Sequence, residues 1–208
     1  MAASRLYNQL QRSPPNTRWG LYVYRATYED QSLWERYMEY VHNAVLSHLQ
    51  PFDDKERESD ALRYQKLRDS FRLVIREDKA WDNLTLLQMR EIFDRSSLLN
   101  VNEPDPTSWL TCGMDRWYFV YVNKETLMDF QAIDDSRQAP TPNYLKEEVT
   151  FIIVHTQPGW REPDDDDVGK EWQYMCGYWF SQFYELTYRD SDGWFTLFIR
   201  PPHKWNGY

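Results

Sequence analysis

Histidine and cysteine, the residue types that most often carry chemistry, are few and widely spaced in this sequence. The histidines are His42, His48, His155 and His203, and their spacing does not match the ligand patterns of zinc sites. His42 and His48 fall on one predicted helix but about 240° apart around its axis, so they do not meet at one metal ion. Each histidine is interpreted as a structural or surface residue, and neither a metal site nor a cofactor is predicted.

Neither the cysteines nor a run of acidic residues forms a recognisable site. Cys112 and Cys176 each precede a glycine, as nucleophiles at turns can, but neither belongs to a CxxC pair, and a small buried hydrophobe is the preferred interpretation. Asp164 to Asp167 offer carboxylates to Ca²⁺ or Mg²⁺, yet adjacent residues do not converge on one ion and the spaced positions of a calcium loop are absent. We interpret this run as a solvated acidic loop.

Three arginines in otherwise apolar predicted strands, Arg25, Arg76 and Arg200, are the strongest candidates for a site. An unpaired charge in such a strand costs several kcal/mol of desolvation, so each is expected to meet an acid such as Glu77 or Asp78. One interpretation is a set of interior or edge salt bridges. The functional alternative is a clamp for an anion or carboxylate at one end of the sheet, because guanidinium groups bind such groups bidentately.

Aromatic residues supply the other candidates. They make up 17% of the chain, so most of them must form core, but some are placed to line a pocket. The pocket candidates are Tyr22, Tyr24, Trp117, Tyr121, Trp172, Trp179 and Trp194. The predicted ligand-binding set is Tyr22, Tyr24, Arg25, Arg76, Glu77, Trp117, Tyr121, Trp179 and Arg200. Catalytic residues are not predicted, because no nucleophile, base and orienting group can be assembled from the sequence.

The elements that must position these residues alternate between strand and helix patterns. Strands are predicted at 20–28, 71–77, 117–122, 149–155 and 194–200. Amphipathic helices are predicted at 34–49, 86–93 and 171–186, with a loop and a short surface helix at 53–70, while 124–133 fits a helix or a hairpin partner. This order predicts an α+β fold with helices packed on a mainly antiparallel or mixed sheet of about five strands, a ferredoxin-like sandwich or a relative of it.

The first strand is expected to be central because both of its faces are mostly apolar. Its two faces are Leu21, Val23, Arg25 and Thr27 on one side and Tyr22, Tyr24, Ala26 and Tyr28 on the other. A strand covered on both sides places Arg25 near a buried surface, where it needs a carboxylate or carbonyl partner. Asp30 or Ser32, the latter with Glu35, is predicted to cap the helix that follows.

Composition restricts the class of protein. The 208 residues fit one domain, assigned to 18–208, after a flexible N-terminal arm at 1–17 that ends in prolines. A net charge of −9 argues against nucleic-acid or anionic-membrane partners, and no segment is long and apolar enough to be predicted as a membrane span. Two cysteines and no recognisable signal sequence indicate a cytoplasmic protein, with a nuclear location also compatible. A homodimer is compatible with the sequence as well.

Several short motifs resemble a large family of ascomycete fungal proteins with no established function. The shared motifs are Trp19-Gly20, Tyr24-Arg25, Thr27-Tyr28, Asp30, Trp34, Glu77-Asp78, Tyr118 to Asn123 followed by Glu125, and Ile199-Arg200-Pro201-Pro202. The resemblance covers most of residues 19 to 202. It implies a fungal, intracellular, single-domain protein and brings no activity with it.

Two functions are therefore expected, in order of preference. The first is a non-catalytic interaction or binding module that contacts another protein through aromatic surface and acidic loops. The alternative is a small-molecule-binding protein or an enzyme, in which an aromatic pocket holds an apolar or anionic ligand and Arg25 or Arg200 anchors its charge. A flat exposed aromatic patch favours the first. An apolar pocket of several hundred Å³ favours the second.

Overall fold

One mixed β-sheet with helices on both faces organises the chain. It is seen in a computed structural model that describes residues 4–49, 54–99, 118–135, 149–156, 171–187 and 193–205. The strands are β1 (Trp19–Arg25), β2 (Phe71–Arg76), β3 (Tyr118–Val122), β4 (Thr150–His155), β5 (Trp172–Cys176) and the two-residue β6 (Lys204–Trp205). The described α-helices are α1 (Ser4–Arg12), α2 (Gln31–His48), α3 (Asp54–Ser70), α4 (Leu86–Leu99), α5 (Lys124–Asp135), α6 (Phe180–Thr187) and α7 (Gly193–Leu197).

The strand order is β2-β1-β3-β4-β5-β6. Strand β1 pairs in parallel with both β2 and β3, whereas β4 is antiparallel to β3 and to β5, and β6 is parallel to β5. The α+β prediction with a mixed sheet is therefore confirmed, and so is the central position of β1. The strand order does not confirm a ferredoxin-like arrangement, because β1 to β3 are parallel neighbours linked through helices and not a β-α-β-β-α-β pattern.

Alternation along β1 divides the core into two layers. Trp19, Leu21 and Val23 face a large cluster built with α1, α2, α3, α5, α6 and α7. Tyr22 and Tyr24 face a smaller cluster on the other side of the sheet, built mainly with α4. Both faces of β1 are thus covered, as its apolar alternation predicts. Helix α2 begins at Asp30, whose carboxylate accepts a hydrogen bond from the backbone N–H of Leu33 at 2.8 Å.

The N-terminal segment differs from the predicted flexible arm. Ser4–Arg12 forms α1, and Leu6 and Leu10, four residues apart on one helix face, are buried in the larger cluster. Glu185 accepts hydrogen bonds from the backbone N–H groups of Arg5 and Leu6 at 2.8 and 3.0 Å, which holds the first turn. The two-leucine stripe was too short to stand out in the sequence, and contacts distant along the chain order this segment.

Two segments adopt the opposite structure to the predicted one. Trp172–Cys176, predicted as the start of a long helix, is strand β5, because its backbone pairs with β4 from Thr150↔Cys176 to Val154↔Trp172. The first part of the strand predicted at 194–200 instead lies in helix α7 (Gly193–Leu197), since Trp194 and Leu197, three residues apart, both enter the larger cluster. Short aromatic runs fit both the two-residue period of a strand and the 3.6-residue period of a helix. Tertiary packing therefore determines which structure forms.

Two further helices are longer or better defined than expected. The charged stretch predicted as a loop with a short surface helix forms the 17-residue helix α3 up to Ser70. The ambiguous stretch after β3 is helix α5, with Leu127 and Phe130 buried on one face. In the parts of the chain that the structure describes, none of the helices has the length and apolarity required to cross a membrane.

Candidate functional site

Arg25, the leading candidate from the sequence, is held in a closed cage at the carboxyl end of β1. Its side chain is almost fully buried. Its Nε donates to the Thr27 carbonyl at 2.7 Å, and its Nη1 donates to Gln31 at 2.8 Å and to Glu77 at 3.2 Å. The guanidinium carbon also lies 4.4 Å from the centroid of the Tyr28 ring and 4.6 Å from that of Trp34.

This cage has the form of a structural ion pair. The guanidinium lies between two aromatic faces, which stabilise a cation, and its predicted acidic partner Glu77 is present. Glu77 is 53% exposed, so water still reaches the carboxylate. Nη2 has no hydrogen-bond partner among the described residues, but Arg25 does not line either of the large clefts described below. The salt-bridge interpretation of Arg25 is confirmed.

The neighbouring candidates pack on the opposite face of the sheet. The guanidinium carbon of Arg76 lies 4.9 Å from the ring centroid of Tyr22. Tyr24 is buried, with the rings of Trp81 and Phe93 at 5.6 and 5.7 Å between centroids. Tyr22 and Tyr24 therefore belong to the core beneath α4, not to a binding surface.

The remaining candidates are Trp117, Trp179 and Arg200. Trp117 is outside the described residues. Trp179 is half-buried after β5, where its ring packs against His48 with 5.0 Å between centroids. Arg200 is exposed in the segment after α7. The structure brings Arg25 to Glu77 and Arg76 to Tyr22, but it does not gather the three arginines into one anion clamp.

The connections of the sheet mark a different location. The chain leaves β1 to form β2 on one side, then passes through α4 to form β3 on the other side of β1. In open sheets of this kind, ligands bind outside the carboxyl ends of the strands where the connections diverge. A cleft of about 510 Å³ opens there, lined by Ala26 after β1 and by Asn123 and Lys124 after β3. We call it the carboxyl-edge cleft.

Aromatic and aliphatic side chains from three strands line this cleft. Tyr121, Ile152 and Tyr174 occupy adjacent register positions on β3, β4 and β5. Trp172, two residues before Tyr174 on the same strand, also lines the cleft, and its ring lies at 90° to that of Tyr174 with 5.3 Å between centroids. Three aromatic rings around one aliphatic side chain suit a flat, apolar molecule.

The polar groups at the rim are occupied mainly by the protein itself. Thr85 and Gln88 hydrogen-bond reciprocally to each other's backbone N–H groups at the start of α4, at 3.3 and 2.9 Å. Asn123 accepts from the N–H of Thr126 at 3.0 Å at the start of α5. Lys124 is ion-paired with Glu29 at 2.6 Å. The helix N-termini at this cleft are thus capped by side chains, which leaves little attraction for an anion.

The two tyrosines that line the cleft are protonated at neutral pH. Burial raises the pKa of Tyr121, and the charge of Glu125 adds to this effect, while a hydrogen bond with Asn123 opposes it. Burial also raises the pKa of Tyr174, followed by the charges of Asp129 and Glu125. The Tyr121 hydroxyl donates to the Leu84 carbonyl at 2.6 Å. These groups are therefore suited to packing and hydrogen bonding, not to general-base chemistry.

Of the three aromatic residues in the cleft, Tyr121 and Trp172 were predicted from the sequence and Tyr174 was missed. Tyr174 and Ile152 are central to the lining, and Met128 and Glu125 lie at its edge. Tyr174 was hidden because its segment was predicted to be helical. Residues that directly follow parallel strands can be predicted to line such a cleft, but only when the strand order is known.

Among the residues that the structure describes, no histidine or cysteine lines this cleft. Cys176 is fully buried, as its interpretation as a small hydrophobe requires, whereas Cys112 and the acidic run Asp164 to Asp167 lie outside the described residues. Burial lowers the pKa of His48 to about 4. Within the described ranges, no group of three or more histidine, cysteine, aspartate or glutamate side chains is arranged to hold a metal ion.

Comparison of the sequence with protein-family models finds no match, and comparisons with curated proteins and with solved structures find none either. The geometry of the carboxyl-edge cleft is therefore the basis for assigning a function.

Proposed function

We propose that this protein binds a small molecule with a flat, largely apolar body in the carboxyl-edge cleft. The observation that carries the proposal is the row formed by Tyr121, Ile152 and Tyr174, with Trp172 beside it, in a cleft of about 510 Å³ where the strand connections diverge. Cleft volume, aromatic lining and position at such a point are the usual properties of ligand sites.

This proposal takes up the alternative from the sequence analysis and changes its anchoring group. Arg25 is enclosed by its own partners and does not line the cleft. The rim instead offers Glu125, an exposed carboxylate with no ion-pair partner among the described residues. A ligand with a neutral polar group or a hydrogen-bond donor fits this rim better than an anion does.

The expectation of a protein-interaction module receives less support from the side chains. Each aromatic side chain that the structure describes is buried or half-buried. Within the described ranges, the exposed large hydrophobic side chains lie on five different elements and are Leu62, Ile75, Leu87, Met128 and Leu186. Scattered exposed residues of this kind are normal for a protein surface and do not define a docking patch.

Native mass spectrometry of the protein purified from its own source tests the proposal. A small molecule that appears on the intact protein and is released on denaturation is the expected result. Tyr174→Ala and Trp172→Ala are expected to abolish its retention, because each removes a ring from the cleft. Tyr64→Ala is the matched control, since Tyr64 is also half-buried but lies on α3 and outside the cleft.

Two results would contradict the proposal. One is a wild-type protein that carries no small molecule and binds none of a set of flat aromatic compounds in a ligand-observed NMR screen. The other is retention of the molecule by both cleft variants. Copurification with another polypeptide in place of a small molecule would favour the interaction module. The fungal origin, the cytoplasmic location and the homodimer are carried forward as proposals from the sequence.

A further inference from the structure

A second cleft of about 510 Å³ lies at the opposite end of the same strands. We call it the amino-edge cleft. Its lining comes from the turn before β1, the last turn of α3 and the start of β2, and the residues used below are Thr17, Arg18, Lys66, Asp69, Ser70 and Arg72. None of these residues was singled out by the sequence analysis.

Positive charge is concentrated in the amino-edge cleft. Arg18, Lys66 and Arg72 line it with one carboxylate, Asp69, in a chain whose net charge is −9. Arg18 and Arg72 are exposed, and neither has a carboxylate within 4.0 Å among the described residues. Like charges held near one another without acidic partners raise the free energy of the unliganded state, and an anion would relieve that repulsion.

The end of α3 explains only one of these cations. Lys66 lies in the last two turns of the helix, where a positive charge complements the helix dipole, and its Nζ donates to the Pro15 carbonyl at 3.1 Å. Arg18 lies directly before β1, and Arg72 lies in β2. Neither side chain belongs to α3, so helix capping does not account for their positions. Both arginines line the cleft, and the one hydrogen bond from these two side chains to the described residues runs from Arg72 Nη1 to the Phe71 carbonyl at 2.5 Å.

A buried hydroxyl points to a ligand independently of the charges. Thr17 is 3% exposed, and its Oγ1 has no hydrogen-bond partner among the described residues. Ser70, which also lines the cleft, differs because its hydroxyl donates to the Lys66 carbonyl at 2.5 Å. Buried polar groups without partners are rare and costly, so a hydroxyl of this kind, on a residue that lines a cleft with three cations, indicates a missing ligand.

We propose that the amino-edge cleft binds a small phosphate monoester with a hydroxylated body, such as a sugar phosphate. Arg18 and Arg72 would bind the phosphate oxygens, Lys66 would add charge, and the Thr17 hydroxyl would donate to a phosphate oxygen. The Asp69 carboxylate would accept from a hydroxyl of the body, and the cleft is larger than a lone phosphate requires. This inference is independent of the ligand proposed for the carboxyl-edge cleft.

Isothermal titration calorimetry with glucose 6-phosphate, inorganic phosphate and glucose tests this inference. Glucose 6-phosphate is expected to bind, inorganic phosphate to bind more weakly, and glucose not to bind. Arg18→Gln and Arg72→Gln are each expected to weaken binding of glucose 6-phosphate about tenfold, the effect of losing one charge-assisted hydrogen bond. The control Arg36→Gln/Arg95→Gln removes two exposed arginines paired with Asp134 and Glu91 elsewhere and should leave binding unchanged.

Thr17→Val provides a second, nearly isosteric variant. It is expected to weaken binding while leaving the unfolding midpoint equal to that of the wild type or higher, because the buried hydroxyl it removes has no partner among the described residues. Absence of binding of both phosphates to the wild type, or an equal loss in the control pair, would overturn the site. Equal affinity for the two phosphates would overturn the assignment of a hydroxylated body.

Discussion

The two clefts have the same volume and lie at opposite ends of the same parallel strands, yet their linings are opposite in character. The carboxyl-edge cleft is lined by aromatic rings, with Glu125 at its rim and Lys124 neutralised by Glu29. The amino-edge cleft is lined by three cations and contains a buried hydroxyl without a partner among the described residues. Position in the sheet therefore does not decide which cleft suits an anion.

The difference between the two clefts follows from the groups that hydrogen-bond to the backbone N–H groups at the helix N-termini. Anions usually bind at the carboxyl edge of parallel strands because free N–H groups at helix N-termini point there. Here Thr85 and Asn123 accept hydrogen bonds from first-turn N–H groups of α4 and α5. At the amino edge, arginine side chains supply donors instead of backbone groups. Side-chain capping thus weakens the carboxyl edge as an anion site, while residues before β1 and at the start of β2 supply the cations of the amino edge.

Gly20→Ala is expected to disrupt the amino edge with the largest effect. Gly20 has φ +143°, and an added Cβ would lie 1.7 Å from the Arg72 carbonyl oxygen, so β1 and β2 must separate. We expect a loss of about 4 kcal/mol in the free energy of unfolding, measured by urea denaturation.

Gly177→Ala is the matched control for this change. The nearest atom to its added Cβ is a side-chain carbon of Ala44 at 3.3 Å, which can shift slightly, so a cost of about 1 kcal/mol is expected. Equal destabilisation by the two substitutions would show that the close approach of Gly20 to β2 is not what holds the amino edge together.

The substitution Arg25→Met tests whether the cage at the carboxyl end of β1 stabilises the fold or supports ligand binding in the carboxyl-edge cleft. The substitution keeps much of the side-chain volume but removes three hydrogen bonds and two cation–π contacts, so we expect a loss of about 3 kcal/mol. Glu77→Gln should cost less than about 1 kcal/mol, since the carboxylate is half-exposed.

Urea denaturation measures both costs, and native mass spectrometry measures the effect on the cleft. Because Arg25 does not line the carboxyl-edge cleft, the folded fraction of Arg25→Met should retain the small molecule that Tyr174→Ala loses. Loss of the molecule from a well-folded Arg25→Met protein would contradict the structural assignment of the cage.

Structural elements and side-chain pairs that depend on the local sequence pattern could be predicted from the sequence. Alternation in β1 predicts its two covered faces, and the cost of burying a charge predicts the pairing of Arg25 with Glu77. The site was much less predictable, because both clefts are assembled from segments far apart in the chain. Tyr121 and Tyr174 flank Ile152 only because β3 pairs with β4 and β4 pairs with β5, and Arg18 and Arg72 line one cleft only because β1 pairs in parallel with β2.

His48 is expected to make stability depend on pH without involving either cleft. Burial lowers its pKa from 6.5 to about 4, so the unfolded chain binds more protons than the folded one between these pH values. The free energy of unfolding therefore falls as the pH decreases from 6.5 to 4, by about 2 kcal/mol after allowance for partial exposure. Above pH 6.5 this contribution is complete, and ligand tests belong there.

The variant His48→Phe isolates this contribution, because phenylalanine keeps a ring against Tyr178 and Trp179 but cannot bind a proton. Urea denaturation at a series of pH values should show wild type losing stability relative to the variant as the pH falls. Parallel pH profiles for the two proteins would exclude His48 as the source of the dependence.

The smallest expected effect is a change in the pKa of His42, which depends on the charge of Arg72 in the amino-edge cleft. Burial lowers this pKa, and the positive charge of Arg72 lowers it further. Arg72→Gln should therefore raise the pKa of His42, and a phosphate bound beside Arg72 should raise it in the wild type by offsetting the same charge. Tyr174→Ala, at the other cleft, should leave it unchanged. NMR titration of the imidazole protons measures all three. Because Tyr174 is uncharged in this pH range, a response of the His42 pKa to Tyr174→Ala would report a structural change that spreads between the clefts. A His42 pKa that phosphate leaves unchanged would contradict binding of the anion beside Arg72.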